Sequence, residues 1–215
     1  MRTMHLAAVA LILIMLCAAA AAERPGSVRG TVVDENGAPL AAAQVSVDEL
    51  DGLPRVSPVL TAETDKKGHF SIANLEPGNY KVFAKKESMG YPDTSFAFYS
   101  GQVFTTVSVT NAAPEADTLL KIGPPAGVIK GRVQDAVAGV PVNATFVLRR
   151  TLDPDNWIST SQRADYRVLI PPLVEVSVEV SATGYKPWQH GSPIRLRPQE
   201  EMKLDIQLEP EPKPE

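Results

Sequence analysis

Side chains able to bind a metal ion or to act as catalytic acids and bases are sparse along this sequence. Its three histidines, His5, His69 and His190, are far apart, whereas a zinc hydrolase needs clustered histidine and carboxylate ligands. There is no G-x-S-x-G nucleophile elbow, although a Ser/His/Asp triad assembled by folding stays open, since its members need not be close in sequence. We therefore predict a protein that is not an enzyme, with no catalytic residues, no metal site and no cofactor.

Two short stretches concentrate acidic and amide oxygens, the ligands that hard cations such as calcium prefer. They are DENG, from Asp34 to Gly37, and DPDN, from Asp153 to Asn156. Neither has the length or the final glutamate of an EF-hand loop. Aspartate and asparagine side chains also stabilise turns by hydrogen bonding to the nearby backbone, so we interpret both stretches as turns.

Aromatic side chains are the remaining candidates for ligand contact. Both tryptophans, Trp157 and Trp188, lie in the C-terminal half of the chain together with Tyr185. Their flat rings could stack on a sugar or on a partner chain, because Trp and Tyr combine apolar faces with a hydrogen-bonding edge. We name Trp157, Tyr185 and Trp188 as a candidate ligand surface. The alternative is that Trp188 covers one end of the fold.

The first 22 residues have the order of segments found in a secretory signal peptide. Arg2 precedes an apolar run from Leu6 to Leu16, and alanines follow. The run is shorter than the roughly 20 apolar residues of a membrane-spanning helix, which argues against an uncleaved anchor. We predict cleavage between Ala22 and Glu23.

Cys17 is the only cysteine, and it lies inside the predicted signal peptide. Bacterial lipoproteins are acylated on such a cysteine, but the bulky Leu16 stands where their signals have a small residue, so lipidation of Cys17 is disfavoured. Without Cys17 the exported chain has no disulfide, although the compartment that it reaches would permit one. Its stability is therefore expected to come from packing alone.

Composition limits the classes of partner. The 215-residue chain has a formal net charge of −4 and lacks the basic stripe with which proteins release phosphate counterions, so no nucleic-acid partner is expected. No second long apolar run follows the N-terminal one, and we expect no transmembrane segment in the mature chain. The length suits one large domain or two small ones.

Short runs of alternating apolar and polar residues recur about every ten residues, separated by Gly, Pro, Asn and Asp, which is typical of a β-sandwich or small barrel. Near the end of the first half, either Leu119 with Lys121 or Leu120 with Ile122 faces the core. The other core-facing residues predicted for this half are Val28, Gly30, Val32, Ala43, Val45, Val47, Phe70, Ile72, Tyr80, Val82, Ala84, Val103, Thr105, Val107 and Val109.

Two features separate the first half of the chain from the second. Pro124 and Pro125 cannot continue a central strand and mark a domain boundary. Upstream of them, the connection from Lys85 to Ser100 is longer than a hairpin loop, and we interpret it as an aromatic-bearing connection or an extra edge strand. Its aromatic residues are Tyr91, Phe96, Phe98 and Tyr99.

The second half repeats the first at a spacing near 100 residues, which predicts tandem domains rather than a solenoid. When residues 164–180 are aligned with residues 68–84 without a gap, Tyr166 stands at the position of Phe70 and Val176 at that of Tyr80. The strand pattern is kept while the turn residues change. Ala164, Leu173 and Val174 replace Gly68, Pro77 and Gly78.

The stretches GTVVDENGAPLAAAQVSV (residues 30–47) and TDKKGHFSIANLEPGNYKVFA (residues 64–84) resemble the carboxypeptidase regulatory-like domain, a transthyretin-like seven-stranded sandwich. Residues 127–208 resemble the same family more weakly. The resemblance implies a non-catalytic appendage of the kind found in carboxypeptidases, and it implies carbohydrate binding only by analogy with starch-binding-like sandwiches. The turn and core residues that carry it within residues 27–84 are Gly30, Gly37, Asp65, Gly68, Phe70, Pro77, Gly78 and Tyr80.

Together these patterns predict an all-β protein with two tandem Ig-like or transthyretin-like β-sandwiches. We expect a binding or scaffolding module, exported to the periplasm, the cell surface or the medium, with an envelope protein or polysaccharide as its partner. The alternative is a carbohydrate-binding module that uses the exposed aromatics of the second sandwich. The expected segments are a signal peptide (1–22), a linker (23–26), the first sandwich (27–123), the second sandwich (127–208) and a disordered Pro/Glu-rich tail (209–215).

Overall fold

The computed structural model describes residues 25–50, 60–101 and 104–212. The predicted signal peptide with Cys17, its cleavage site at Ala22 and Glu23, and the last three residues of the expected tail lie outside the described residues. Within the described ranges, no helix has the length and apolar composition of a membrane span.

Seven strands form the first sandwich. They are β1 (Gly26–Val33), β2 (Gln44–Glu49), β3 (Leu60–Glu63), β4 (His69–Leu75), β5 (Gly78–Lys85), β6 (Thr105–Val109) and β7 (Glu115–Lys121). One sheet has the order β4-β1-β7 and the other the order β3-β2-β5-β6. Neighbouring strands are antiparallel except for β1 and β7, which run parallel.

Side-chain alternation decides which residues fill the space between these two sheets. The core residues predicted for the first half are buried except Gly30 and Thr105, which are half-buried, and Val103, which lies outside the described residues. At β7 the structure selects one of the two predicted faces, since Leu120 and Ile122 are buried while Leu119 is 64% exposed. The apolar pattern of the sequence therefore predicts the first core correctly.

Eight strands form the second sandwich. They are β8 (Gly127–Asp135), β9 (Ala144–Arg150), β10 (Asp153–Gln162), β11 (Asp165–Ile170), β12 (Val176–Ser181), β13 (Trp188–Gln189), β14 (Glu201–Lys203) and β15 (Ile206–Leu208). The sheet orders are β11-β8-β14, with β15 also pairing β8, and β10-β9-β12-β13. This arrangement repeats that of the first sandwich strand by strand, which confirms the predicted tandem all-β fold.

The second core also follows the alignment with the first. Tyr166, Val168, Val176, Val178 and Val180 are all buried. The ring of Tyr166 packs on Phe146 with centroids 4.5 Å apart, and its hydroxyl donates to the carbonyl oxygen of Leu204 at 2.5 Å. The strand pattern is thus preserved even where the turn residues have changed.

The connection between β5 and β6 contains no strand among its described residues, so the suggested extra edge strand is not formed there. Instead it has a 3-10 turn at Glu87–Met89 and one short helical turn at Ala97–Ser100. Left-handed glycines, Gly90 and Gly101, follow these two turns. The connection is therefore a folded strap of turns, which we call the β5–β6 strap (residues 86–101).

The start of the expected tail differs from a solvated segment. The backbone N–H of Glu211 donates to Gly184 O at 2.9 Å, and that of Lys186 donates to Glu209 O at 2.9 Å. The Lys186 ammonium also pairs with the Glu209 carboxylate at 3.0 Å. Residues 209–211 are held because these backbone and ionic contacts join them to the loop after β12.

Candidate binding surfaces

Turn residues of the family resemblance shape the backbone around the β3–β4 connection. The Asp65 carboxylate accepts the backbone N–H groups of Lys67 at 2.8 Å and His69 at 2.9 Å. These hydrogen bonds hold the pKa of Asp65 below its usual value, and the bond from the His69 N–H has the largest effect. Gly68 adopts a left-handed φ of +77°, and Phe70 then enters the core.

The remaining residues of this signature also serve the backbone. A Cβ at Gly30 would lie 2.1 Å from the carbonyl oxygen of Thr118 on β7, and Gly37 turns the chain with a φ of +86°. Pro77 precedes β5, which begins at Gly78, and the Tyr80 hydroxyl donates to Glu76 O at 2.7 Å across that turn. The geometry gives these positions a structural role in the first sandwich.

The described histidines stand apart from one another. The ring of His69 lies 3.6 Å from the Asp65 carboxylate on the exposed surface, and His190 Nδ1 lies 2.7 Å from Ser192 O. No group of three His, Cys, Asp or Glu side chains that could hold a metal ion occurs within the described residues.

Of the two acidic stretches, DENG forms the predicted turn, whereas DPDN is the beginning of strand β10. The Asp34 carboxylate accepts the N–H groups of Asn36 and Ala38, each at 2.8 Å. In the DPDN stretch, the amide of the buried Asn156 donates to the Asp153 carboxylate, where the β9–β10 ladder shifts register between Asp153 and Trp157. The prediction of a turn at DPDN is therefore wrong, because this stretch continues the chain into β10 through an irregularity of the ladder.

The three aromatic residues of the candidate ligand surface do not share one face. Trp188 pairs with Val180 of β12 and packs, half-buried, against the second core. Tyr185 also packs on that core, and its hydroxyl donates to the Asp135 carboxylate at 3.0 Å. Both rings therefore cover the second sandwich, as the alternative interpretation expected for Trp188.

Trp157 lies at the opposite edge of the same sheet. It pairs with Arg149 of β9, whose neighbour Leu148 is fully buried, so Trp157 faces outward. Strands β10 and β13 are three strand spacings apart, roughly 14 Å. Trp157 is 48% exposed, and the Arg149 guanidinium lies 5.0 Å from its ring centroid. It is therefore the one exposed member of the set.

A second surface lies where the two sandwiches meet. The β5–β6 strap belongs to the first sandwich by sequence, but Phe98 is 1% exposed and packs among the core residues of the second. Next to it, the Tyr99 hydroxyl donates to Leu169 O on β11 at 3.3 Å. Burial raises the pKa of Tyr99 above its usual value. The strap thus supplies side chains to a core that lies across the predicted domain boundary.

A cleft of about 320 Å³ lies beside this junction. Its walls include Phe83 and Tyr91 from the first sandwich and Arg150 and Pro172 from the second. Phe83 and Tyr91 are each 4% exposed, so they offer little ring surface for stacking on a ligand. Burial, with a hydrogen bond to the Glu35 carboxylate at 3.0 Å, raises the pKa of Tyr91 to about 12. We interpret the cleft as part of the junction.

The sequence marked the strap by its density of aromatic residues but did not indicate where each ring goes. Phe98 is buried in the second core, while Phe96, two residues earlier, is 52% exposed. Both occur in the same local pattern, SFAFYS. Only the position of the second sandwich distinguishes them.

Solved structures with a similar fold share little sequence with this chain. The TIE protein of Bacillus anthracis is 16% identical over 87% of this chain and 34% of that chain, with a TM-score of 0.35. A streptococcal ancillary pilin is 16% identical, with coverages of 90% and 64% and a TM-score of 0.38. The chain thus spans about a third of the first protein and under two thirds of the second.

A shaft pilin, SpaA of Lactobacillus rhamnosus GG, is 11% identical over 89% of this chain and 100% of that chain, with a TM-score of 0.35. No curated protein matches the sequence. The family model of the carboxypeptidase regulatory-like domain, by contrast, matches residues 27–116. This match confirms the resemblance and extends it from residue 84 through β6 to the start of β7. Over residues 27–116, which are less than half of the chain, the sequence therefore matches the carboxypeptidase regulatory-like domain.

Proposed function

We propose that this protein is an exported, non-catalytic scaffold that holds binding surfaces of two sandwiches in a fixed arrangement at the cell envelope or outside the cell. The observation that carries the proposal is the strap, which places Phe98 of the first sandwich in the core of the second. Neighbouring domains in one chain move relative to each other by default, unless a substantial apolar interface joins them. A shared core residue supplies such a joint.

Two kinds of contact support a fixed arrangement. Complete burial of a phenylalanine contributes roughly 1.5 to 3 kcal/mol, and Phe98 is 1% exposed. Backbone contacts add to it, because the N–H of Ala126 donates to Gly90 O at 2.8 Å. The linker after β7 is therefore bonded to the strap itself, which leaves little free chain between the sandwiches.

The partner that we propose is an envelope component, and its contact is tested in intact cells. A photo-crosslinking amino acid is introduced at Trp157 of the exported chain and, as a matched control, at Val137, which is 85% exposed on a turn of the same sandwich. We expect discrete adducts with envelope material from position 157 that weaken when Phe98→Ala releases the joint. Absence of adducts from position 157, or adducts equal to those from position 137, would contradict the scaffold.

Carbohydrate binding is the second candidate, and the exposed ring of Trp157 is the observation that favours it. Aromatic faces of this kind stack on sugars, and the Trp157 ring is 48% exposed beside the Arg149 guanidinium. Titration of tryptophan fluorescence with a panel of polysaccharides should show a shift that disappears in Trp157→Phe. The matched variant Trp188→Phe should keep the shift, since Trp188 packs on the core. An unchanged spectrum with every polysaccharide would rule this candidate out.

A further inference from the structure

Strand β10 is an edge strand of ten residues, and β9 is its one paired neighbour among the described strands. Its first three residues are two aspartates and a proline, and the Ala97–Ser100 turn of the β5–β6 strap lies close to it. From Asn156 to Gln162 its sequence is NWISTSQ, without a charge or a proline. Edge strands normally carry charged residues, prolines or short lengths because their open backbone groups recruit other strands.

Its counterpart in the first sandwich shows the difference. Strand β3 occupies the equivalent edge, beside β2, and its described residues, Leu60–Glu63, end in a charge. The second sandwich has kept the strand order, while the last seven residues of its edge strand carry no charge. That edge also carries the exposed ring of Trp157.

The charges at the two ends of β10 define a register in which the strand is complementary to itself. In an antiparallel pair that places Ser159 opposite Ser159 of a second copy, Trp157 faces Ser161, and Ile158 faces Thr160. The same register brings Asp155 opposite Arg163 at both ends. Asp155 and Arg163 are exposed, and within the described part of the chain neither has a hydrogen-bond or ion-pair partner.

We propose that β10 pairs with β10 of a second copy of this chain, across a two-fold axis at Ser159. The two four-stranded sheets would then join into one continuous sheet of eight strands. On a two-fold axis the central residue meets its own copy, and Ser159 carries no charge, while the opposite charges of Asp155 and Arg163 face each other at both ends, so this strand is complementary to a second copy of itself. The inference rests on the proposed scaffolding function and names one partner for it.

The pairing also covers apolar surface. Ile158 lies opposite Leu148 of β9 and packs, half-buried, against the second core. A neighbouring β10 would cover its open edge, while the outward ring of Trp157 would lie above Ser161 of the second copy. Main-chain hydrogen bonds supply the affinity in such strand addition, and side chains supply the register.

Cysteine crosslinking tests the register directly. In a Cys17→Ser background, Ser159→Cys places one thiol opposite its own copy, at a separation that suits a disulfide. We expect Ser159→Cys to form a covalent dimer under mild oxidation at low protein concentration. The control is Ser71→Cys, an exposed serine on the edge strand β4 of the first sandwich, which should stay monomeric.

A charge exchange tests the same interface without a crosslink. Asp155→Arg alone, or Arg163→Asp alone, sets like charges opposite each other twice per dimer and should weaken self-association by about tenfold. The double variant Asp155→Arg with Arg163→Asp restores opposite charges and should recover most of the affinity. Sedimentation equilibrium of the purified chain gives the dissociation constants.

Three results would overturn the proposal. They are a chain that stays monomeric at high concentration, equal crosslinking of Ser159→Cys and Ser71→Cys, and a double charge variant that associates no better than the single ones. Each leaves the joint at Phe98 untouched, so the scaffold proposal is judged separately by its envelope adducts. Loss of those adducts with intact crosslinking through Ser159→Cys would instead leave self-pairing standing.

Discussion

The two sandwiches share one strand order but hold the same turn by different means. Between β4 and β5, Asn74 adopts a left-handed φ of 61°, and the Tyr80 hydroxyl donates to Glu76 O, so the contacts are local. Between β11 and β12, Leu173 adopts a left-handed φ of 62°, and its N–H donates to Leu196 O at 2.7 Å. The second turn is therefore held by a segment more than 20 residues away in sequence.

This difference explains why one copy is easier to identify than the other. In the first sandwich the turn depends on residues within the motif, such as Tyr80, and these remain visible in the sequence. In the second, the Arg195 side chain also donates to Leu173 O at 3.0 Å, and Ile194 forms a bridge with Val176. Because distant residues hold the turn, the Pro77-Gly78 pair of the first copy is not needed there, and Leu173 and Val174 stand at its positions.

The joint between the sandwiches gives the largest expected effect. Phe98→Ala should destabilise the second sandwich by about 4 kcal/mol, since it removes a buried aromatic ring and leaves a cavity. The first sandwich, to which Phe98 belongs by sequence, should change far less. Urea unfolding with hydrogen exchange, which separates the two sandwiches, provides the measurement.

Phe96→Ala is the matched control for this variant. Phe96 is 52% exposed on the same strap, and its truncation should cost under about 0.5 kcal/mol. A loss of equal size in both variants, or a loss confined to the first sandwich, would contradict the shared core.

Gly30 and Gly131 occupy equivalent positions, and both should resist a side chain. A Cβ at either position would lie 2.1 Å from a backbone oxygen of the parallel neighbour, Thr118 for Gly30 and Leu204 for Gly131. Alanine at either site should cost about 3 kcal/mol, because backbone cannot move as a flexible side chain does. A smaller drop in melting temperature for Gly131→Ala than for Gly30→Ala would contradict this, and would show that the second sandwich tolerates a wider spacing between these two segments.

Substitution at the aligned pair Gly68 and Ala164 should have unequal effects. Gly68→Ala puts a side chain at a φ of +77° and 2.6 Å from Val32 O, and it should cost about 2 kcal/mol. Ala164 is buried but does not need a left-handed backbone, so Ala164→Gly should cost about 1 kcal/mol. Denaturant midpoints of the two variants measure the contrast, and equal losses would refute it.

Leu173→Gly should increase stability. Leu173 is 53% exposed and has a left-handed φ of 62°, which costs a non-glycine residue roughly 1 kcal/mol. Glycine removes this strain, so we expect a gain of up to about 1 kcal/mol in thermal unfolding. A loss of stability would mean that the Leu173 side chain contributes more by packing than its exposure indicates.

The smallest of the expected effects is that of alkaline pH, which should loosen the joint between the sandwiches. The pKa of Tyr99 lies above its usual value through burial, and that of Tyr91 is raised to about 12. A raised pKa means that the folded form favours the neutral phenol, so stability is complete below pH 10 and declines as pH rises toward 12. Hydrogen exchange across this range should show the strap opening first, and Tyr99→Phe should delay it.

Much of the fold follows from the sequence because alternation records which face of each strand is buried. The core residues of both sandwiches, the choice of tandem domains and the turn at Asp65 all depend on local patterns of apolar, Gly and Asx residues. Each of these patterns involves residues that are close together in sequence. It can therefore be identified without knowing where the rest of the chain lies.

Contacts between distant segments were decided only by the tertiary structure. Phe98 is buried and Phe96 is exposed, because the second sandwich covers the ring of Phe98 and leaves that of Phe96 in solvent. Trp157 faces outward while Trp188 covers the core, because their strands lie at opposite edges of one sheet and their side chains point to its opposite faces. Local sequence specifies the strands and their buried faces, whereas the exposed sites depend on what packs against each face after folding.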